Sequence, residues 1–205
     1  QKEKMVVNMK LIVIFGLVSF IQCFLEPSCN RDVAWEIYNC AGYTDLGSVL
    51  TLDASSTSKG APCFAVPKNQ IEKPAKLYIM RMRFKNIQAW RGIDSGHIGL
   101  IFNMRDLNNY DFVYARLHSP TVQTGYVKNG IKKFGKNLSL LGNRSGSISH
   151  SLQIDVLENK TVTVYYDHTK VGTFNATLPT LAGGGVLTWN NYQNIIQFGN
   201  FQLIA

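Results

Sequence analysis

Residues 96–118 read Gly96-His97-Ile98-Gly99-Leu100-Ile101-Phe102-Asn103-Met104-Arg105-Asp106-Leu107-Asn108-Asn109-Tyr110-Asp111-Phe112-Val113-Tyr114-Ala115-Arg116-Leu117-His118. Ile98, Leu100, Phe102 and Met104 alternate with His97, Gly99, Ile101 and Asn103, a period of two that sorts side chains onto opposite faces of a strand. The first set is expected to point inward. Asp106-Leu107-Asn108-Asn109 then supplies turn chemistry, because Asp and Asn side chains bond their own backbone and tolerate left-handed φ. After it, Tyr110, Phe112, Tyr114, Arg116 and His118 share one face, with Val113, Ala115 and Leu117 on the other. The stretch is expected to be a β-hairpin.

The same pattern extends in both directions. Over Lys76–Trp90, Tyr78, Met80, Met82 and Phe84 lie opposite Leu77, Ile79, Arg81, Arg83 and Lys85. Gln123–Val127 precedes an Asn129-Gly130 turn, and Ile131–Phe134 continues that hairpin. Residues 136–146 are polar and Gly-containing and are expected to form an exposed loop. His150–Leu157, Val162–Tyr166, Val171–Phe174, Val186–Trp189 and Ile195–Ile204 follow as further strands. No window carries a 3.6-residue apolar stripe. Short strands separated by turn signals predict an all-β fold, an antiparallel sandwich or barrel.

At 205 residues the chain has a one-domain length, large enough for a sizeable core. With 17% charged and 45% hydrophobic residues it is neither disordered nor fibrous. Gln1–Lys4 precede Met5 and Met9, so the sequence is expected to begin upstream of its true start. Met9-Lys10 opens an apolar run, Leu11–Ile21, that fits a secretory signal peptide. It is too short for a membrane span before Glu26-Pro27 interrupts it. Residues 1–23 are therefore assigned to the leader and 24–205 to a single domain. Removing Lys2, Glu3, Lys4 and Lys10 with the leader lowers the net charge from +8 to +6.

Cleavage after Cys23 leaves Cys29, Cys40 and Cys63, with one unpaired or bonded to another chain. Cleavage after Ser19 keeps Cys23 and allows three connectivities. All four Cys lie in the first third, so any bridge staples the N-terminal segment. Four sequons, at Asn137, Asn143, Asn159 and Asn175, fit a secreted chain glycosylated at one or more of them.

The hairpin from Gly96-His-Ile-Gly-Leu-Ile-Phe-Asn through Asp106-Leu-Asn-Asn-Tyr-Asp-Phe-Val-Tyr-Ala-Arg-Leu resembles the central hairpin of concanavalin A-like lectin/glucanase domains, laminin-G-like modules included. Val162–Phe174 and Gly185–Leu203 resemble later strands of the same domains. The resemblance covers roughly residues 76–204, and Glu26–Asn69 matches only loosely. It implies an antiparallel jelly-roll β-sandwich, a fold that hosts lectins, hydrolases and inert adhesion modules alike.

Glucanases of this superfamily carry Glu-x-Asp-x-(x)-Glu on one strand, placing two carboxylates about 5–5.5 Å apart. Beyond the leader the only Glu residues are Glu26, Glu36, Glu72 and Glu158, and none has that arrangement. No Gly-x-Ser-x-Gly occurs, and His97, His118, His150 and His168 are scattered. The chain is therefore expected not to be an enzyme. Asp106, Asn108, Asn109 and Asp111 are clustered oxygen donors of the kind Ca²⁺ favours, weighed against the plain turn that the same residues make. No other cofactor is expected.

If Arg81 and Arg83 share an outward face with Tyr114, Arg116 and His118, guanidinium groups and tyrosine rings line one surface suited to an acidic or sulfated glycan. The alternative is an ordinary solvated sheet face. No nucleic-acid-binding motif accompanies the positive charge, and no membrane span is expected. The sequence thus points to a secreted, non-catalytic extracellular protein that binds carbohydrate or acidic matrix components. Two alternatives stand beside it: a structural matrix protein, as in a shell or skeleton, acting through protein contacts, and a glycan-active enzyme of the same fold.

Overall fold

The computed structural model describes residues 33–47, 49–55, 62–68, 74–88, 96–117, 119, 121–140, 148–189 and 195–205. The leader, Cys23, Cys29, His118 and Asn143 lie outside them. In chain order the strands are β1 (Trp35–Tyr38), β2 (Gly42–Asp45), β3 (Val49–Asp53), β4 (Pro62–Pro67), β5 (Leu77–Gln88), β6 (His97–Asp106) and β7 (Asn109–Arg116). They continue as β8 (Thr121–Lys128), β9 (Ile131–Ser139), β10 (His150–Leu157), β11 (Thr161–Tyr166), β12 (Thr169–Asn175), β13 (Gly184–Trp189) and β14 (Ile195–Ile204). Among the described residues there is no helix, hence none able to cross a membrane.

Two seven-stranded antiparallel sheets stack as a jelly-roll sandwich. The front sheet runs β1-β4-β13-β6-β7-β8-β9 and the back sheet β12-β11-β10-β5-β14-β3-β2. Between them lies the main core. β5 contributes Tyr78, Met80, Met82 and Phe84, all buried, while Arg81, Arg83 and Lys85 face solvent, as the alternation predicts. Met80 sits opposite Ile154 of β10 and Phe84 opposite Phe198 of β14, so the middle of the back sheet closes on apolar cross-strand pairs. Each such fully buried side chain is worth about 1.5–3 kcal/mol.

The 97–118 hairpin forms with Ile98 opposite Ala115 and Leu100 opposite Val113. Ile98, Leu100 and Phe102 enter the core, but Met104 does not. The register breaks between Phe102 and Asp106, with Asn103 at φ +49°, and the irregularity moves Met104 to the outer face beside Ile101. The expected loop at 136–146 is also corrected in part, because β9 runs to Ser139. Asn137 and Ser139 pair with Gln123 and Thr121, and Leu138 packs on the main core. A strand at a sheet edge needs no regular apolar alternation, so its polar sequence reads as a loop.

Among the described residues the first third holds four strands of four to six residues that periodicity did not reveal. Their places are set by distant partners: β4 pairs with β13, and β3 with β14. A disulfide joins Cys40, just after β1, to Cys63 in β4 and decides one pairing that the sequence left open.

Candidate functional site

The outer face of the front sheet carries a second apolar layer. Alternation puts Tyr110, Phe112 and Tyr114 of β7 there, with Leu187 and Trp189 of β13 and Phe64 and Val66 of β4. Two glycines allow the rings to lie close against the sheet. Gly99 faces Tyr114 and Gly125 faces Phe112 across neighbouring strands. A Cβ on Gly99 would stand 2.0 Å from the Val113 carbonyl oxygen, and one on Gly125 would stand 2.3 Å from Phe112 Cζ. Any other residue would displace the aromatic side chain it touches.

The rings form a continuous row. Centroids are 5.1 Å apart for Tyr38–Phe64, 6.0 Å for Phe64–Tyr110 and 6.4 Å for Tyr110–Phe112. Trp189 lies 5.3 Å from Phe112 and 5.1 Å from Tyr114, and His97 adds its ring 5.2 Å from Tyr114. Tilted and edge-on pairs of this kind add about 0.5–1.5 kcal/mol each beyond their burial. The middle of the row is buried, and desolvation pushes the Tyr110 hydroxyl pKa up to about 12.

Polar groups frame the row. At one end Arg116 donates from Nη2 to Gln123 Oε1 at 2.9 Å and to the Tyr114 hydroxyl at 3.3 Å. Its Nε is buried and finds no hydrogen-bond partner among the described residues. Lys132 holds Nζ 4.7 Å from the Trp189 centroid, and desolvation lowers its pKa. At the other end the row opens at Tyr38 into a pocket of about 300 Å³, lined also by Glu36, Val66, Lys68, Met104 and Asp106. The Tyr38 hydroxyl donates to Glu36 Oε2 at 2.6 Å, which, with some desolvation, raises the tyrosine pKa. Stacking area, carboxylates and cations thus meet at one accessible place.

The surface expected from Arg81, Arg83, Tyr114 and Arg116 does not form. Tyr114 and Arg116 belong to the front sheet, whereas β5 pairs with β10 and β14 in the back sheet. The two pairs therefore face opposite sides of the sandwich. Arg81 Nε donates to Gln202 Oε1. Arg83 lines a groove of about 230 Å³ with Lys85, Ser149, Gln197 and Asn200, and no carboxylate is among the lining residues. The β14 register shifts between Gly199 and Gln202, where Asn200 has φ +50°.

Of the four expected oxygen donors of the β6–β7 turn, Asp106, Asn108 and Asn109 stay together and Asp111 leaves them. Asp106 accepts from the Asn108 backbone N–H at 2.7 Å and from Asn109 Nδ2 at 3.0 Å, while Asn109 Oδ1 accepts from the Asn129 N–H. Asp111 points the other way and is buried. It accepts from Asn103 Nδ2 at 2.9 Å and from the Thr177 and Leu178 N–H groups at 3.1 Å. Burial raises its pKa, and these three hydrogen bonds pull it partly back. Among the described residues, no three His, Cys, Asp or Glu side chains gather as a metal site would require.

Sequence reasoning missed two parts of this arrangement. Asn103 Oδ1 also accepts from the Tyr78 hydroxyl at 2.6 Å and from the Leu181 N–H at 3.1 Å, tying segment 177–181 to the end of β6. An Asn inside an apolar strand was the available signal. Glu36 and Tyr38 of the pocket lie on β1, which is too short to be seen by periodicity.

No protein-family model matches the chain. Solved structures match the fold. The carbohydrate-binding module CBM66 from Bacillus subtilis aligns with a TM-score of 0.63 at 13% identity, over 83% of this chain and 95% of that one. The Emp47p carbohydrate recognition domain aligns at 0.57 and 12%, over 87% and 93%. The GH43 protein BlXynB from Bacillus licheniformis aligns at 0.58 and 11%, over 87% of this chain but 39% of that one. These likenesses agree with the jelly-roll sandwich described above and show the fold alone.

Proposed function

We propose that this concanavalin A-like sandwich is a secreted, non-catalytic carbohydrate-binding protein whose sugar occupies the pocket at the Tyr38 end of the front face. The observation that carries this is the row of aromatic rings ending in an open pocket with Glu36, Lys68 and Asp106 at its wall. Apolar C–H faces of a sugar ring stack on tyrosine, and its hydroxyls donate to carboxylates and accept from ammonium groups. The pocket volume falls at the small end of ligand sites, roughly 300 Å³, which suits one sugar unit better than a long chain. The Cys40–Cys63 disulfide fits an oxidising compartment, and the structural neighbours named for carbohydrate recognition share the fold. Glu36 is engaged by Tyr38, and the strand-borne carboxylate pair of the glucanases has no counterpart in the sequence.

The Arg83–Lys85 groove favours a second reading, capture of an acidic or sulfated matrix component on the back sheet. A glycan array at physiological salt, with and without calcium, separates the two. Neutral glycans bound by the parent and weakened roughly tenfold by Tyr38→Ala support the pocket. Retention of sulfated glycans alone, lost with Arg83→Ala and Lys85→Ala, supports the groove. Sugar release during incubation, or no bound glycan at all, defeats the proposal.

A further inference from the structure

The sandwich has two lateral sides, and they are built differently. On one side the end strands are β1 and β2, four residues each, with the Cys40–Cys63 bridge beside them. Short edge strands offer little backbone for a foreign strand to pair with. On the other side the end strands are β9, nine residues, and β12, seven residues. Among the described residues β9 pairs with β8 alone and β12 with β11 alone, so each stands at a sheet edge with one side of its backbone turned outward. The two edges lie one above the other. A Cβ on Gly172 of β12 would stand 3.1 Å from Leu138 Cδ2 of β9. β9 also exposes Ile131 and Phe134, at 63% and 55% of their surface. Long, partly apolar and unpaired strands are templates for association.

The three sequons among the described residues fall on this side. Asn137 is in β9, Asn175 ends β12, and Asn159 stands in the turn before β11; all three side chains are exposed. Asn175 sits opposite Thr161, the threonine of the Asn159 sequon, so two of the three meet at one end of the β11–β12 ribbon. Lys132, Lys133, Lys136 and Lys170 add charge along both strands, a protection that does not cover backbone groups.

We infer that Asn137 and Asn175 are glycosylated and that their glycans shield the paired β9 and β12 edges against strand addition by a second copy of this chain. The inference rests on the secreted reading above. In the modification, the side-chain nitrogen attacks C1 of an oligosaccharide carried on a lipid pyrophosphate. The N–C1 bond forms, the C1–O bond breaks, the pyrophosphate departs with the electron pair, and a base of the transferase takes the amide proton. The bulky, hydrated product stands on the edge without contributing a strand. The pocket at Tyr38 is lined by β1, β4 and the end of β6, strands that lie away from the β9 edge of the front sheet and from β12.

The test uses the full chain expressed in a glycosylating eukaryotic cell. Mass spectrometry of the secreted protein, after enzymatic deglycosylation that converts each occupied Asn to Asp, should mark positions 137 and 175. Analytical ultracentrifugation should then show a monomer before deglycosylation of the folded protein and dimers or larger species after it. The double variant Asn137→Gln/Asn175→Gln should behave like the deglycosylated protein, and Asn159→Gln like the parent. Adding Phe134→Lys to the double variant should restore most of the monomer. Empty asparagines on a secreted chain, or a deglycosylated protein as monomeric as its parent, overturn the inference. A chain that never leaves the cell refutes the secreted reading instead, and a failed glycan array refutes only the pocket.

Discussion

On the front sheet the side chains pointing away from the main core include Phe64, Ile101, Phe112, Tyr114, Leu187 and Trp189, all six buried. On the back sheet the corresponding positions are Arg81, Arg83, Ser151, Gln153, Asp155, Thr163 and Tyr165, which are exposed or half-buried. Both sheets share strand number, antiparallel pairing and a common core. They differ in what the second face of each strand was given to do. β7 shows this within one strand, with Val113 and Ala115 on the core side and Phe112 and Tyr114 on the other, a sequence apolar on both faces. β10 and β11 instead alternate buried aliphatics with polar groups, the pattern of a sheet wetted on one side. The front face is therefore where stacking area exists, edged by charged groups, whereas the back face is polar and charged without an aromatic layer.

Four measurements test this contrast. Gly99→Val and Gly125→Val should each lower stability by about 3 kcal/mol or more in chemical denaturation, because the added carbons collide with backbone and with Phe112 or Tyr114. A loss below about 1 kcal/mol would mean that the aromatic layer is not held against the sheet as described.

Asp111→Ala should cost about 2–3 kcal/mol by stranding Asn103 and two backbone N–H groups. Asp111→Asn isolates the charge. The folded protein binds the Asp111 proton more tightly than the unfolded chain, whose carboxyl titrates near the ordinary 3.8. Stability from this proton is complete below 3.8 and declines as pH rises through the raised folded value. Denaturation midpoints of the parent should fall relative to Asp111→Asn across that window, and parallel curves would count against it.

Tyr38→Ala should weaken sugar binding roughly tenfold, about 1.4 kcal/mol, while Arg81→Ala leaves neutral-sugar affinity unchanged in calorimetry. Equal losses in both variants would erase the distinction between the faces. Finally, Gln153→Ala and Thr163→Ala on the back face should change stability by no more than about 0.5 kcal/mol. A larger effect would give that face a structural role it shows no sign of having.

The strands from β5 onward were readable because alternation acts between adjacent residues. Tyr78, Met80, Met82 and Phe84 inward, with Arg81 and Arg83 outward, needs no knowledge of the partner strand. The Asn129-Gly130 turn announces itself for the same reason, both residues taking positive φ as a tight hairpin requires. Met104 escaped because one left-handed residue, Asn103, interrupts the alternation, and it is held there by Tyr78, Leu181 and Asp111. Of the expected site, Tyr114 and Arg116 do lie on the aromatic face, but Arg81 and Arg83 were grouped with them by assuming that successive strands share a sheet. The pocket residues Glu36 and Tyr38 gave only a loose resemblance, through Trp35-Glu-Ile-Tyr, and no periodicity, in a strand of four residues whose pairing with β4 is set from outside.

What the amino-acid order settled alone was local: an all-β chain, the positions of its longer strands, and which residues of each strand go to which face. Which sheet a strand joins, which outer face is covered by aromatic rings, and where a pocket opens were decided only in the folded molecule. The physical reason is the range of the forces involved. Side-chain alternation follows from the geometry of consecutive peptides, whereas β4 finds β13 and β5 finds β14 across more than a hundred residues. Burying the common core selects those partners, and the exposed Arg81 and Arg83 and the buried Tyr114 simply travel with the strands that carry them.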